Sequence, residues 1–354
     1  MSLLFVAALV MQARSNAAPV RAPLPPTAVA VDSLIRGGES HFANLWQLTF
    51  GGENAEAYWS GDGTRLILQA TRAGYPCDQE FVLDLRTGDL DRVSTGTGRT
   101  TCGYFYDHDR RILFSSTHLA SDSCPPTPDH SQGYVWPVSE GYDVFTAKAD
   151  GSGITRLTNS PGYDAESTVS VDGKRIVFTS VRDGDLEIYT MNVDGTDVKR
   201  LTHEPGYDGG PFFSRDGKWI VYRAQHPADS ALADYRALLA RHLVRPSQMD
   251  LWVMRADGSG KRRVTHDPGA SFAPYFTPDG KSILYSSNRD NPRGRNFDLF
   301  LVPVGGGTPQ RVTTDESFDG FPMFSPDGRW LAFCSNRGAA VRGETNLFIA
   351  EWRR

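Results

Sequence analysis

The sequence has few cysteines, no long basic run and no apolar stretch long enough to cross a bilayer. Only four of its 354 residues are Cys, which is too few for a disulfide scaffold. A net charge of -5, with no Lys/Arg run longer than the three residues 261–263 and only Arg353-Arg354 at the terminus, argues against nucleic acid as a partner. The longest apolar run, residues 3–11, is too short to span a membrane, so a membrane-spanning protein is not expected.

Signatures of common catalytic sites are also missing. The sequence contains no G-x-S-x-G elbow, no H-E-x-x-H zinc motif and no phosphate-binding loop. We therefore assign no catalytic residue and no required cofactor from motifs. What is abundant is Gly (35) and Pro (22), a composition that favours many tight turns over long helices.

The N-terminal region is typical of an exported protein. The apolar run is followed by small residues at 15–18, as in a cleavable secretion signal. We predict a signal peptide at residues 1–18 and a periplasmic or secreted location. Residues 19–44, rich in Pro, Ala and Val, are predicted to be a flexible lead-in.

One unit occurs six times along the rest of the chain. Each copy has an apolar strand, a turn that is usually Asp-Gly, and a second apolar strand, as in "TVSVDGKRIVFTSVR" and "MFSPDGRWLAFCSNR". The turns begin at residues 62, 108, 172, 216, 279 and 327, so the repeat is 44 to 64 residues long. Asp-Gly supplies the positive φ of a tight hairpin, and repeats of this length made of short strands indicate propeller blades.

Third strands follow in all six copies, but fourth strands such as "ITRLT" follow in only five. The segment 45–50 has the missing pattern, and an N-terminal strand completing the last blade would leave no open sheet edge. We predict an all-β fold: one six-bladed β-propeller of four-stranded antiparallel blades over residues 45–352. The predicted blades are about 54–95, 98–159, 163–203, 207–266, 270–314, and 318–352 plus 45–50.

Two insertions, 119–141 and 227–247, separate second and third strands and must emerge on one face. The second contains the pattern of a short helix in blade 4, with Asp229 or Ser230 as its cap and Pro246 as its stop. Its apolar residues at helical spacing are Leu232, Tyr235, Leu239 and Leu243. Such a helix either packs on its blade or forms a lid or docking element.

Equivalent positions of the repeats carry charged side chains at the face of the channel. First strands begin with Asn54, Thr100, Asp164, Asp208, Ser271 and Asp319, and Glu56 and Glu166 lie two residues further on. The five acids Asp164, Asp208, Asp319, Glu56 and Glu166 suit a hard cation such as Ca²⁺. After the second strands come Arg72, His118, Arg182, His226, Arg289 and Arg337. These bases either form ion pairs with the Asp of the neighbouring blade, and so hold adjacent blades together, or face a ligand.

Cysteine and aromatic residues allow further predictions. We predict a Cys77–Cys124 bridge, because both residues lie on loops of one face in adjacent blades; Cys102 is the competing partner. Tyr163, Tyr207 and Phe318 are predicted to fill gaps between blades. Tyr134 and Trp136, in the first insertion, are candidates for an aromatic surface.

The motifs "SPDGRWLAFCSNR", "DLEIYTMNVDGTDVKRLT" and "FDGFPMFSPDG" resemble the TolB-like β-propeller repeat family, through all six blades. The resemblance is to the propeller of TolB without its preceding α/β domain. The resemblance implies the fold and a periplasmic location, but it says little about function. We expect a non-catalytic protein that binds a protein segment or small charged ligand at the insertion-bearing face, with bound calcium as a candidate. The alternatives are a hydrolase or lyase at the channel mouth, and a structural subunit that forms homo-oligomers.

Overall fold

The computed structural model describes residues 24–131 and 133–353, and it is a six-bladed β-propeller of four-stranded antiparallel blades. The predicted fold class is therefore confirmed. In blades 1 to 5 the four strands follow one another in sequence across the sheet, whereas the fourth strand of blade 6 comes from the N-terminal segment.

Strand positions repeat from blade to blade. The first strands are Asn54–Trp59, Thr100–Tyr106, Asp164–Val169, Tyr207–Phe213, Ser271–Phe276 and Asp319–Phe324. The second strands are Arg65–Ala70, Arg111–Ser116, Arg175–Ser180, Trp219–Gln225, Ser282–Ser287 and Trp330–Ser335. The third strands are Gln79–Asp84, Asp143–Lys148, Glu187–Asn192, Asp250–Arg255, Asp298–Pro303 and Asn346–Trp352. The fourth strands are Leu90–Arg92, Thr155–Arg156, Lys199–Arg200, Arg262–Arg263, Gln310–Arg311 and Phe42–Gln47.

The last of these strands closes the ring. Phe42–Gln47 pairs antiparallel with the third strand of blade 6, with Leu45 opposite Ala350. Closure by an N-terminal strand is thus confirmed, although the strand begins three residues before the predicted segment 45–50. A further short strand, Val29–Ala30, pairs with its outer edge.

Residues 24–44, predicted as a flexible lead-in, pack against blade 6. A 3₁₀ turn at Asp32–Leu34 is held by the Asp32 carboxylate, which accepts a hydrogen bond from the backbone N–H of Leu45 at 2.7 Å. Glu39 is 2% exposed and reaches a buried arginine of blade 6. The predicted signal peptide, residues 1–18, lies outside the described residues.

The hairpin turns have the chemistry that the repeats predict. In blade 6, Ser325 donates its hydroxyl to Asp327 at 2.6 Å, and Gly328 supplies φ +70°. The same Ser/Thr-to-Asp bond occurs in blades 1, 3, 4 and 5. These Asp residues are structural, since their side chains satisfy the turn itself.

The two insertions meet each other. Trp136–Pro137 and Leu243–Val244 form a two-stranded antiparallel sheet that joins the insertions of blades 2 and 4 across blade 3. The helix runs from Asp229 to Leu239, so it ends before Leu243, and its cap residue is Ala228.

Within the described ranges, no helix is long and apolar enough to cross a membrane.

The helix packs on the propeller. Tyr235 is buried, and its hydroxyl lies within hydrogen-bond distance of two acceptors, the Asp185 carboxylate at 2.5 Å and the carbonyl of Gly206 at 2.9 Å. It shares an apolar cluster with Leu186, Tyr207 and Val244. The structure therefore places the helix as a packed support of the paired insertions.

Candidate functional site

Every first strand contains a β-bulge, and one residue at the bulge, the third of the strand or in blade 4 the fourth, has a left-handed backbone. These residues, which we call the bulge ring, have φ between 48° and 59°: Glu56, Cys102, Glu166, Gly210, Ala273 and Phe321. Bulges re-aim side chains, and a left-handed non-glycine residue costs about 1–3 kcal/mol. Six equivalent occurrences make the bulge ring a built feature of the channel wall.

All six residues of the bulge ring line a small void of about 30 Å³ inside the channel. Below the void, aromatic rings fill the channel: the centroid of Phe212 lies 5.5 Å from that of Tyr58 and 5.6 Å from that of Tyr275. On the other side of the ring lies a cavity that opens on the insertion-bearing face. The bulge ring is therefore its floor.

This cavity, which we call the mouth cavity, has a volume of about 870 Å³. Its aromatic lining is Tyr134, Trp136, Tyr142, Tyr163, Tyr207, Phe272, Phe297, Phe318 and Phe321. Its charged lining is Arg99, Arg223, Arg245, Arg293, Arg295, Glu56, Asp78 and Glu166. Tyr163, Tyr207 and Phe318, predicted as gap fillers, thus contribute to a concave surface, and so do Tyr134 and Trp136 of the first insertion.

The floor of the mouth cavity contains a closed hydrogen-bond network around Arg223. The Arg223 guanidinium forms an ion pair with Glu166, which also accepts from Thr179 (2.7 Å) and from the backbone N–H of Gly210 (2.8 Å). Trp136 stacks over the guanidinium at 5.1 Å. A Cβ at Gly210 would lie 2.3 Å from Arg223, so this blade needs glycine for the arginine to reach across.

Glu56 differs from Glu166 in having no basic partner. Among the described residues the Tyr58 hydroxyl donates a hydrogen bond to it, at 3.3 Å. Burial raises the pKa of the Glu56 carboxyl; a hydrogen bond with the Cys102 thiol opposes this, and the charge of Glu166 adds to it. Burial also raises the pKa of Cys102 well above its usual value. The mouth cavity thus has one paired and one open carboxyl group on its floor.

The predicted rings of acids and bases do not converge on a shared site. Each of three acids is engaged by a base of its own blade: Asp164 by Arg182 (3.0 Å), Asp208 by His226 (3.0 Å), and Asp319 by Arg337 (2.7 Å). The partner is not in the neighbouring blade, because the antiparallel hairpin places the start of the first strand opposite the end of the second.

The other three bases follow the same local rule. Arg72 donates to the Asn54 side chain, His118 contacts Ser116 at 3.0 Å, and Arg289 pairs with Asp267 at 3.3 Å. Each of the six predicted ligand-binding bases is therefore engaged by a nearby group of its own blade or of the link before it, and Arg337 also contacts Glu39 of the N-terminal segment.

The described residues contain no group of three or more His, Cys, Asp or Glu side chains arranged to hold a metal ion. Asp164, Asp208 and Asp319 have separate partners, and only Glu56 and Glu166 share the mouth cavity. Calcium at this ring stays a prediction.

A second ring of acids was missed by the sequence analysis. Third strands of four blades begin with Asp143, Glu187, Asp250 and Asp298, each paired with a fourth-strand arginine. The sequence does contain a signal for this ring: an acid begins the third strand and an arginine lies in the fourth, as in "DLEIYT" with "VKRLT" and in "FDLFLV" with "PQRVT". Arg223 was also missed: the equivalent positions hold Gln69, Ser115, Thr179, Ser286 and Cys334, so a charged residue there is unusual.

These buried acids predict that the protein melts at higher temperature near pH 5.5 than near pH 8. Burial raises the pKa of Glu187 and of Asp298 to about 7, and burial also raises that of Asp319. Burial alone would lower the pKa of His226, but its hydrogen bond to Asp208 raises it overall. A raised pKa gives a stabilising contribution that is complete below the unfolded-state pKa and is lost as pH rises through the folded-state value.

Melting curves at both pH values check this prediction. Glu187→Gln and Asp298→Asn together should reduce the difference between the two melting temperatures, since these two side chains no longer titrate. Asp84 has the opposite effect at low pH. Hydrogen bonds from Arg86 lower its pKa to about 2, so its contribution to the stability of the folded state is lost as pH falls below about 4. A melting temperature that rises steadily from pH 5.5 to pH 8 would contradict the assignment.

The structure joins Cys77 to Cys124 in a disulfide with a Cα–Cα distance of 5.8 Å. Cys102, the competing partner, is a free buried thiol in the bulge ring. The bridge ties the start of the first insertion to blade 1 at the side of the mouth cavity.

Residues 128–238 match the model of the TolB beta propeller domain. No curated protein matches this chain. The match runs from within the first insertion through the last two strands of blade 2 and all of blade 3 to the first two strands of blade 4, and it includes Glu166, Tyr207 and Arg223.

Solved structures are similar over most of the chain. A protein assigned as TolB from Agrobacterium tumefaciens has 20% identity and a TM-score of 0.55, covering 86% of this chain and 91% of its own. TolB from Acinetobacter baumannii has 16% identity and a TM-score of 0.56, covering 78% and 61%. An oligogalacturonate lyase in complex with manganese has 14% identity and a TM-score of 0.53, covering 94% and 97%. At these identities the likeness establishes the fold alone.

Proposed function

We propose that this TolB-like β-propeller protein is an exported, non-catalytic binding protein that takes a segment of a partner protein into the mouth cavity. The observation that carries the proposal is the cavity itself: about 870 Å³, open on one face, lined by nine aromatic residues and five arginines. Aromatic and arginine side chains dominate protein recognition sites, and a concave pocket with few convergent polar groups is typical of a binding site.

The paired insertions support this proposal. They distinguish this face from a bare propeller and place Trp136 in the lining of the mouth cavity, over Arg223. The support below them is rigid, because Tyr235 and Val244 are buried against blade 3. A site held by packed elements loses little entropy when it binds.

We expect peptides selected from a random displayed library to depend on Trp136. Against the Trp136→Ala protein, their affinity should fall by about tenfold or more, since a central aromatic contact is lost. The matched control is Phe50→Ala: Phe50 is 58% exposed and does not line the mouth cavity. Affinities are measured by calorimetry. Selected peptides that bind both variants as tightly as the wild type would place the binding site elsewhere.

The alternative is an enzyme, a hydrolase or lyase, and one observation favours it: Glu56, Glu166 and Tyr207 line one cavity, and acid and phenol groups can transfer protons. The fold is shared with an oligogalacturonate lyase. The described part of the chain contains no group of three or more His, Cys, Asp or Glu side chains placed to hold a metal ion. Turnover of oligogalacturonate that is lost in Glu56→Gln would overturn the non-catalytic proposal. A single dimeric species in solution would instead favour self-association.

A further inference from the structure

Acidic and basic side chains lie at different depths in the mouth cavity. Glu56 and Glu166 belong to the bulge ring and also line the void beneath it, so they lie at the bottom. Arg293 and Arg295 line the same cavity but are exposed, and Arg245 is half-buried, so they lie toward the rim. The cavity is therefore negative at its floor and positive at its opening.

The negative charge of the floor comes from Glu56. Glu166 is neutralised by Arg223 and has its oxygens taken by Thr179 and Gly210. Glu56 is flanked by the Tyr58 hydroxyl and the Cys102 thiol, and in the described ranges it forms no ion pair. A half-buried carboxylate that has no cationic partner is complementary to an ammonium group.

We propose that the mouth cavity binds the free amino terminus of a peptide segment whose next residues include an acidic one. The α-ammonium group reaches Glu56 on the floor, and the acidic side chain reaches Arg245, Arg293 or Arg295 near the rim. This inference rests on the proposed function, since it names the chemistry of the segment that the mouth cavity accepts.

A peptide fits these observations better than a small amine does. The mouth cavity is far larger than one ammonium group, and aromatic side chains such as Phe272, Phe297 and Phe318 occupy the wall between floor and rim. An occupant must therefore offer a cation at one end, apolar surface in the middle and an anion toward the opening. Charge complementarity of this kind selects partners and fixes their direction of entry.

The test uses the peptide amide Ala-Phe-Asp-Asp with a free amino terminus and the same peptide with an N-acetyl group, titrated into the full chain by calorimetry. We expect acetylation to lower the affinity by about tenfold or more, because the buried charge pair is lost. Glu56→Gln should lower the affinity of the free peptide equally and leave that of the acetylated peptide unchanged. Replacing both Asp by Asn should weaken binding to the wild type, and less so to an Arg293→Gln/Arg295→Gln variant.

Glu53→Gln is the matched control, because Glu53 is exposed, three residues from Glu56, and outside the mouth cavity. It should leave both affinities unchanged. Equal affinity of the free and acetylated peptides overturns the amino-terminus proposal, and it leaves the proposed function standing if Trp136→Ala still weakens both. Failure of both peptides to bind overturns the amino-terminus proposal as well. Spermidine binding more tightly than the peptide, in a Glu56-dependent way, would identify a polyamine instead.

Discussion

Replacing Arg337 by Ala is expected to lower the free energy of unfolding by about 3–5 kcal/mol, because it leaves two buried carboxylates without a counter-ion. Arg337 is fully buried between Asp319 of its own blade and Glu39 of the N-terminal segment, and all three side chains are 0% exposed. Its guanidinium donates to Asp319 at 2.7 Å and to both oxygens of Glu39 at 3.1 Å, and it also donates to the carbonyl of Leu34. The arginine thus fastens residues 24–44 to the blade that closes the ring.

Arg182→Ala is the control for this effect. Arg182 occupies the same repeat position and pairs with Asp164, but its side chain is 19% exposed and no second acid pairs with it among the described residues. Water can solvate Asp164 once the arginine is gone, so a smaller loss is expected. Urea unfolding of both variants checks the order. Equal losses would mean that the contact with Glu39 contributes nothing.

The orphaned acids themselves give a second check. Changing Asp319 to Asn and Glu39 to Gln in an Arg337→Met background should recover part of the lost stability, since the buried charges disappear with their partner. A triple variant less stable than Arg337→Ala would contradict this account of the cluster.

The fold was predictable because each repeat carries its own local signals. The Asp-Gly turns require positive φ, and the strands between them are short and apolar, so six hairpins could be counted from the sequence. Closure followed from the missing fourth strand. The strand boundary was misplaced because a bulge between Phe42 and Leu45 breaks the alternation of buried residues that would have marked its first half.

The pairing of distant residues was not predictable. Glu39 meets Arg337 across 298 residues of sequence, and the segment containing it has the composition of a linker. The bulge ring was hidden because five of its six residues are not glycine, so nothing in the sequence announces a left-handed backbone. Glu56 and Glu166 were recognised as channel residues, but the partner of Glu166 comes from the second strand of the next blade, where Arg223 has no equivalent in other copies.

Removing the Cys77–Cys124 bridge is expected to lower the free energy of unfolding by about 2–4 kcal/mol. The bridge spans 47 residues and joins blade 1 to the first insertion, so it restricts a long loop of the unfolded chain. A Cys77→Ser/Cys124→Ser protein should match the wild type treated with a reductant, and the reductant should have no effect on the double variant. Because Cys102 and Cys334 are buried, thiol titration is done on the denatured protein, where it should find these two free cysteines before reduction and four after it.

The effect of this bridge should extend to binding. The first insertion is held at Cys124 by the bridge and at Trp136–Pro137 by pairing with Leu243–Val244. Without the bridge only the second anchor remains, and the residues between them gain conformational freedom that a ligand must remove. Limited proteolysis should then cut between residues 121 and 135, and peptides that depend on Trp136 should bind more weakly to the reduced protein. Unchanged affinity after loss of the bridge would show that pairing of the two insertions alone fixes this side of the mouth cavity.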